Sequence, residues 1–362
     1  MDFLTRQRRL QAALSGNRLD ALLVTHLPNL QYLCGFTGSA GALWITPDSC
    51  VFFSDSRYTE QASEEVQGAR VVIQRKALLP SIAGWVVRKQ RGAKRPVIGL
   101  EGEHISWAAS QRFAKALAGK YKLRAAPPLV EQARLIKDKD EIEAIRRSVE
   151  LGASLFDDAL SHLRPGVSEV EVASILESGA RRAGAEGMSF ETIVASGARS
   201  ALPHGRATEA CIASGGFVVC DFGVILHGYC SDRTRTVWVG PVTAEARQVY
   251  QAVLKAQAAA MAEVGPGVSV GAVDRAARNV LKKQGLDKHF THSTGHGVGL
   301  EVHEAPRVAA GLKDRLEPGM VITIEPGVYL TGQWGVRIED MVLVTEKGCE
   351  VLSPGIKDFT AI

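Results

Sequence analysis

The chain lacks the features that mark most specialised destinations and chemistries. Its six cysteines (Cys34, Cys50, Cys211, Cys220, Cys230 and Cys349) show no CxxC spacing, so they are read as reduced, mostly buried thiols with no assigned chemistry. It has no run of like charge. Lys plus Arg is 43 against 39 for Asp plus Glu, a net +4 with the basic residues scattered, so a nucleic-acid partner is not indicated. The opening MDFLTRQRRLQAALSGNRLDALLV is charged throughout and has neither the apolar core nor the cleavage site of a signal peptide. No uninterrupted apolar stretch is long enough to span a bilayer. The expectation is a cytoplasmic protein without a membrane partner. GHGVGLE, which follows no clear strand and has no Lys-Ser/Thr ending, is a poor phosphate loop.

What is present is enough apolar residue, 46% of 362, for a sizeable core in each of two domains. Before Pro127-Pro128, LDALLVT, GALWIT, SCVFFSDS, RVVIQ and PVIGLEG read as strands, with SRYTEQASEEV and SWAASQRFAKALAG helical between them. This predicts an α/β domain over 1–128. Over 129–362 a second domain opens with Asp138 capping a helix, Glu141 reaching back, and Ile142, Ile145, Val149, Leu155, Phe156 and Leu160 along one stripe.

The second domain repeats itself. LRPGVSEVEVASILESGARRAGAEG from Leu163 answers to VGPGVSVGAVDRAARNVLKKQGLD from Val264, each opening a helix after Pro-Gly-Val-Ser. Each copy is followed at nearly the same offset by a hairpin-like segment, Phe217 to Gly240 and Met320 to Val344, built from β-branched runs around a Gly-containing turn. Each segment holds two acids roughly opposite one another, Asp221 with Asp232 and Glu325 with Glu339. Burying such pairs without a cation costs several kcal/mol each, so metal between them is the economical explanation. A duplicated α+β unit with its site on a pseudo-two-fold axis fits this pattern.

His296 lies in THSTGHGVGLEVHEAP, where Gly295, Gly297 and Gly299 allow a tight loop. Four carboxylates and one imidazole make a hard site for two divalent ions. Mn²⁺ is favoured, with Zn²⁺, Co²⁺ or Fe²⁺ able to occupy it. Hydrolysis is the natural reaction of such a pair. Glu325 can then be both ligand and proton shuttle, with His204, His292 and His303 as donors. His303 can equally brace His296 without touching substrate. Arg337, two residues before Glu339 and on the same strand face, can hold a substrate carboxylate or carbonyl, or neutralise the acids; both readings stand.

VVCDFG, SDRTRT, STGHGVGLEVHE, ITIEPGVY and VRIEDMVLV resemble the metallopeptidase family of aminopeptidase P, prolidase and methionine aminopeptidase, with its pita-bread catalytic domain. GFTGSAG and SDSRYTEQA are similar to its creatinase-like N-terminal domain. The resemblance covers essentially the whole chain. It implies metal ligands at Asp221, Asp232, His296, Glu325 and Glu339, and substrate-side histidines at His204, His292 and His303. Arg337 points to the proline-specific branch. The implied reaction releases an N-terminal residue from a following proline by a metal-bridging hydroxide, in a homodimer or larger assembly. A Xaa-Pro aminopeptidase is the reading, with a Xaa-Pro dipeptidase as the alternative and a non-catalytic homologue behind both. Phe190 stands where several relatives carry Tyr, removing a possible bond to a ligand carboxylate.

Overall fold

A computed structural model describes residues 1–89 and 95–362. The chain divides into two compact units, Met1–Arg134 and Leu135–Ile362. Among the described residues no helix is long and apolar enough to cross a membrane.

The first unit is a six-stranded mixed sheet of β1 (Ala21–Val24), β2 (Ala42–Thr46), β3 (Ser49–Asp55), β4 (Arg70–Gln74), β5 (Val97–Glu101) and β6 (Lys122–Ala126). The order is β4-β3-β2-β1-β5-β6. Around it run α1 (Phe3–Gly16), α2 (Leu27–Cys34), α3 (Thr59–Glu65), α4 (Leu78–Lys89), α5 (Trp107–Ala116) and α6 (Leu129–Arg134). Alternate strand residues such as Leu23, Trp44 and Phe53 pack with Ile82 and Phe113 of the helices. The unit runs past Pro128 because α6 is tied to α2. Tyr32 donates to Ala133 O at 3.1 Å, and Arg134 Nη1 to Asn29 Oδ1 at 2.7 Å.

The second unit contains the same succession twice. The first half has α7 (Lys139–Leu160), α8 (Glu169–Arg182), β7 (Gly187–Met188), β8 (Ile193–Ser196), then β9 (Gly216–Phe222), β10 (Val224–Leu226), β11 (Tyr229–Cys230) and β12 (Arg233–Val239). The second has α9 (Ala244–Glu263), α10 (Val270–Lys283), β13 (Gly295–Gly297), β14 (Glu304–Val308), then β15 (Val321–Ile324), β16 (Gly327–Leu330), β17 (Trp334–Arg337), β18 (Asp340–Thr345) and β19 (Gly348–Val351). Asp138 and Glu141 form the expected capping box of α7. The shared Pro-Gly-Val-Ser turns place Gly166 and Gly267 at φ +89° and +79°, where a side chain would be strained, just ahead of the N-cap residues Ser168 and Ser269.

Both hairpins change sheets along their length. β9 and β12 pair beside β8, whereas their continuations β10 and β11 pair beside β7. Likewise β15 and β18 lie in a five-stranded sheet, while β16 and β17 form a separate pair. Glu325 and Glu339 sit at that break, one step beyond the Ile324–Asp340 pair, and so face each other. In the first hairpin Asp221 pairs with Thr234, so Asp232 is displaced toward the tip and the two acids lie diagonally. Helices cover the opposite sheet face. Val218, Cys220, Val237 and Val239 pack with Leu155, Val172 and Leu176 in one half, and Ile322, Ile324, Val342 and Val344 with Val253, Ala256 and Val273 in the other.

Candidate metal centre

Every residue singled out by sequence borders one cavity of about 640 Å³ in the second unit: Asp221, Asp232, His296, Glu325, Glu339, His204, His292, His303 and Arg337. The two hairpins are stitched together there. Glu339 N donates to Thr234 O at 3.2 Å, Thr234 Oγ1 donates to Glu339 Oε2 at 2.7 Å, and Thr236 Oγ1 donates to Arg337 O at 2.7 Å.

Within this set Asp232, His296 and Glu339 each offer one ligand atom, all within 4.8 Å of one another. His296 is carried by the short strand β13 rather than by a loop. A Cβ on Gly295 would collide with Thr323 O, and one on Gly297 with Ala305 O, so glycine on either side lets β13 enter between β14 and β15. The ring's Nδ1 lies 3.0 Å from Gly297 O. A carbonyl can only accept, so Nδ1 carries the hydrogen and Nε2 turns a lone pair inward. That nitrogen faces Asp232 Oδ2 at 3.5 Å and Glu325 Oε1 at 3.4 Å. Burial holds His296 down to about 4, leaving acceptors facing acceptors. Asp221 Oδ1, Asp232 Oδ1 and Glu339 Oε1 are buried without a hydrogen-bond partner among the described residues. Orphaned carboxylate oxygens converging on a bare imidazole nitrogen fit a divalent cation and fit little else.

Asp221 and Glu325 are held differently. Asp221 Oδ2 accepts from Arg337 Nη2, and Glu325 accepts from Thr323 Oγ1 at 3.3 Å. Burial, then the neighbouring acids, push Asp232 and Glu339 well above the usual carboxylate range. Glu325 is raised to about 7, chiefly by burial. A carboxyl raised in this way keeps its proton in the folded chain where the unfolded chain has lost it. Stability of the metal-stripped protein should therefore fall as pH rises from the ordinary carboxylate range through about 7, and excess Mn²⁺ should raise the melting temperature and flatten the decline. Thermal melts across about pH 5–8 with and without metal test this; a stripped protein that gains stability over the range contradicts it.

Arg337 directs four of its five N–H donors into the protein. Nε donates to Thr234 Oγ1, Nη1 to Pro203 O and Tyr329 Oη, and Nη2 to Asp221. Among the acids it is Asp221 that it bonds directly. Although burial works against its charge, Tyr329, Asp221 and Glu325 together raise it well above its ordinary range. His292, expected as a donor to substrate, makes two bonds to the scaffold. Its Nδ1 is 2.8 Å from Ser293 O and its Nε2 2.8 Å from Tyr329 Oη, so both nitrogens serve the scaffold. Burial, then Arg337, lower it to about 4, keeping it neutral. His204 and His303 are exposed in the cavity, with the His303 ring edge-on to His296 at 4.4 Å.

Sequence reasoning passed over Tyr329 and Arg307. Strand parity was the available signal. Arg307 of β14 lies an even number of residues after His303, which immediately precedes that strand, and Tyr329 of β16 an even number after Glu325. Arg307 is exposed on the cavity wall and makes no ion pair among the described residues, while Arg206 on the same wall pairs with Glu191 at 2.8 Å. Phe190, Ile193 and Pro203 add an apolar side.

Residues 143–346 match Metallopeptidase family M24, and residues 6–136 match the Creatinase/Prolidase N-terminal domain. The chain is similar to the solved structure of an Xaa-Pro dipeptidase from Bacillus anthracis, at 37% identity over all of both chains with a TM-score of 0.95. It is similar to the X-Pro aminopeptidase from Thermotoga maritima MSB8, at 35% identity over 98% of this chain and 100% of that one, TM-score 0.89. The prolidase from Pyrococcus horikoshii OT3 is similar at 34% identity over 98% and 99%, TM-score 0.91. A duplicated α+β domain of this shape, with acids gathered from both halves, is that of a pita-bread metallopeptidase. The chain belongs to metallopeptidase family M24, whose members use divalent metal ions, and it carries the creatinase/prolidase N-terminal domain.

Proposed function

We propose that the protein is a metal-dependent Xaa-Pro dipeptidase. The observation that carries this reading is the unpaired guanidinium of Arg307 on the wall of the cavity that holds the acid cluster. Arg337 directs four of its five N–H donors to the protein, whereas Arg307 makes no ion pair among the described residues, so a peptide carboxylate just beyond proline finds its partner in Arg307. The similarity to the Bacillus anthracis dipeptidase and the Pyrococcus horikoshii prolidase supports the same reading over the aminopeptidase expected from sequence. Similarity to the Thermotoga maritima aminopeptidase keeps that activity as the second reading.

Asp221, Asp232, His296, Glu325 and Glu339 would hold two divalent ions, with Asp232, His296 and Glu339 the most tightly gathered of the five. The oxygen-rich set favours Mn²⁺. Bound divalent metal supplies Lewis acidity to the scissile carbonyl. Glu325 takes the proton from the attacking water and passes it to the leaving proline nitrogen. His204 and His303 donate to the carbonyl oxygen as it gains charge. Proline leaves a tertiary amide with no N–H, so selection falls to shape, and Phe190, Ile193 and Pro203 offer the apolar wall for its ring.

The test is kcat/KM on a Xaa-Pro dipeptide against a Xaa-Pro-Xaa tripeptide with added Mn²⁺. The dipeptide should be preferred. Arg307→Ala should raise KM for the dipeptide by roughly 10–100-fold, the worth of a charge-assisted bond of about 1.5–3 kcal/mol, and should affect the tripeptide less. Equal or better tripeptide turnover returns the protein to the aminopeptidase reading.

A further inference from the structure

The loop that carries His204 is anchored on a fully buried acid outside the candidate ligand set. Glu169, the first residue of α8, has no exposed surface. Its Oε1 accepts from Ser196 N at 2.8 Å and Ser196 Oγ at 3.0 Å, its Oε2 from Thr208 N at 3.0 Å and Thr208 Oγ1 at 2.8 Å, and Arg199 Nε closes the set at 3.0 Å. Ser196 and Thr208 are the two feet of the loop that carries His204. Arg199 is its inner strut, with Nη2 donating to Arg206 O at 2.6 Å. At the tip, Gly205 N closes a turn onto Leu202 O at 3.1 Å, and Pro203 O takes the bond from Arg337. The loop is thus pinned at its base by Glu169 and at its tip by the arginine that holds Asp221.

A buried carboxylate is a poor device for stability alone, because an apolar residue of similar volume packs at no greater cost. What it adds is geometry: five donors aimed at two oxygens admit one arrangement of both feet. The helix N-terminus favours the charge at this position. The other half of the unit has a comparable brace. Asp274 of α10, also fully buried, accepts from Thr294 Oγ1 at 2.9 Å and Arg278 Nε at 2.8 Å, and Arg278 Nη2 donates to His292 O at 2.6 Å. In each half a buried acid and an arginine hold the segment bearing a cavity histidine.

We propose that Glu169, acting with Arg199, is a positioning residue that presents His204 to the substrate carbonyl. This rests on the reading in which His204 donates to that oxygen. In the metal-loaded enzyme, Glu169→Gln should lower kcat/KM on a Xaa-Pro dipeptide by roughly 10–100-fold, as displaced supporting contacts do, with metal stoichiometry unchanged. Arg199 is partly exposed, so Arg199→Met should fold even where Glu169→Gln does not, and should give a smaller loss that Arg199→Lys partly restores. The deciding measurement is a double-mutant cycle. In a His204→Ala background either change should cost no more than about a further twofold, whereas independent effects add. Full additivity, or unchanged turnover in both Glu169→Gln and Arg199→Met, overturns the inference alone. Full activity in His204→Ala itself overturns the role given to His204 and this inference with it.

Discussion

Glu339→Ala should strip the protein of metal and of nearly all its activity. The side chain is built in from both hairpins: Thr234 holds Oε2 and receives the backbone N–H, Oε1 is buried without a partner among the described residues, and the carboxylate offers an oxygen within 4.8 Å of ligand atoms of Asp232 and His296. Truncation leaves two of the three closest ligands. Lewis-acid stabilisation is worth several kcal/mol, so kcat/KM should fall by about a thousandfold or more at 1.36 kcal/mol per decade. Elemental analysis alongside turnover provides the check. Normal turnover in a variant that has lost its metal ends the metal-centre reading.

Glu325→Gln should keep the metal and lose the chemistry. The glutamine preserves the side chain's shape, its backbone N–H bond to Thr294 O at 2.8 Å, and an oxygen toward the cluster. It cannot accept the proton that Glu325, facing the His296 ring within the cluster, is placed to take. The rate should drop by roughly 10²–10⁴, carried in kcat rather than KM. A loss smaller than about tenfold at full metal occupancy removes the base role from this residue.

The strands of the first unit were legible because β-branched and aromatic alternation states both the period and the buried face. The elements that sequence reasoning missed have physical reasons for being hidden. α2 is short with Pro28 in its first turn, and α4 contains Pro80 and Gly84, so both hold through packing, α4 by burying Ile82, Ala83 and Val86. β6 is an edge strand, KLRAA, with little buried surface to generate a pattern. The metal centre showed because chemistry constrains it twice, through residue type and through duplication. What could not be read was pairing between residues distant in the chain. That His292 is spent on Tyr329, and Arg337 on Asp221 and Thr234, depends on side chains meeting across the junction of two hairpins.

The break in each hairpin has a further consequence for how such chains can diverge. Beyond the acids, β10–β11 join β7 and β16–β17 pair alone, apart from the ladders that carry the acids, and their turns near Gly228 and Gly332 lie past the last ligand-bearing position. Residues gained or lost at those tips leave the ladders that carry Asp221, Asp232, Glu325 and Glu339 in register. A single residue added between Ile324 and Gly327 instead reverses every following side chain through the outer strands. Length variation is thereby confined to the outer ends of the hairpins, where the walls of the cavity can be reshaped while the four acids stay in place.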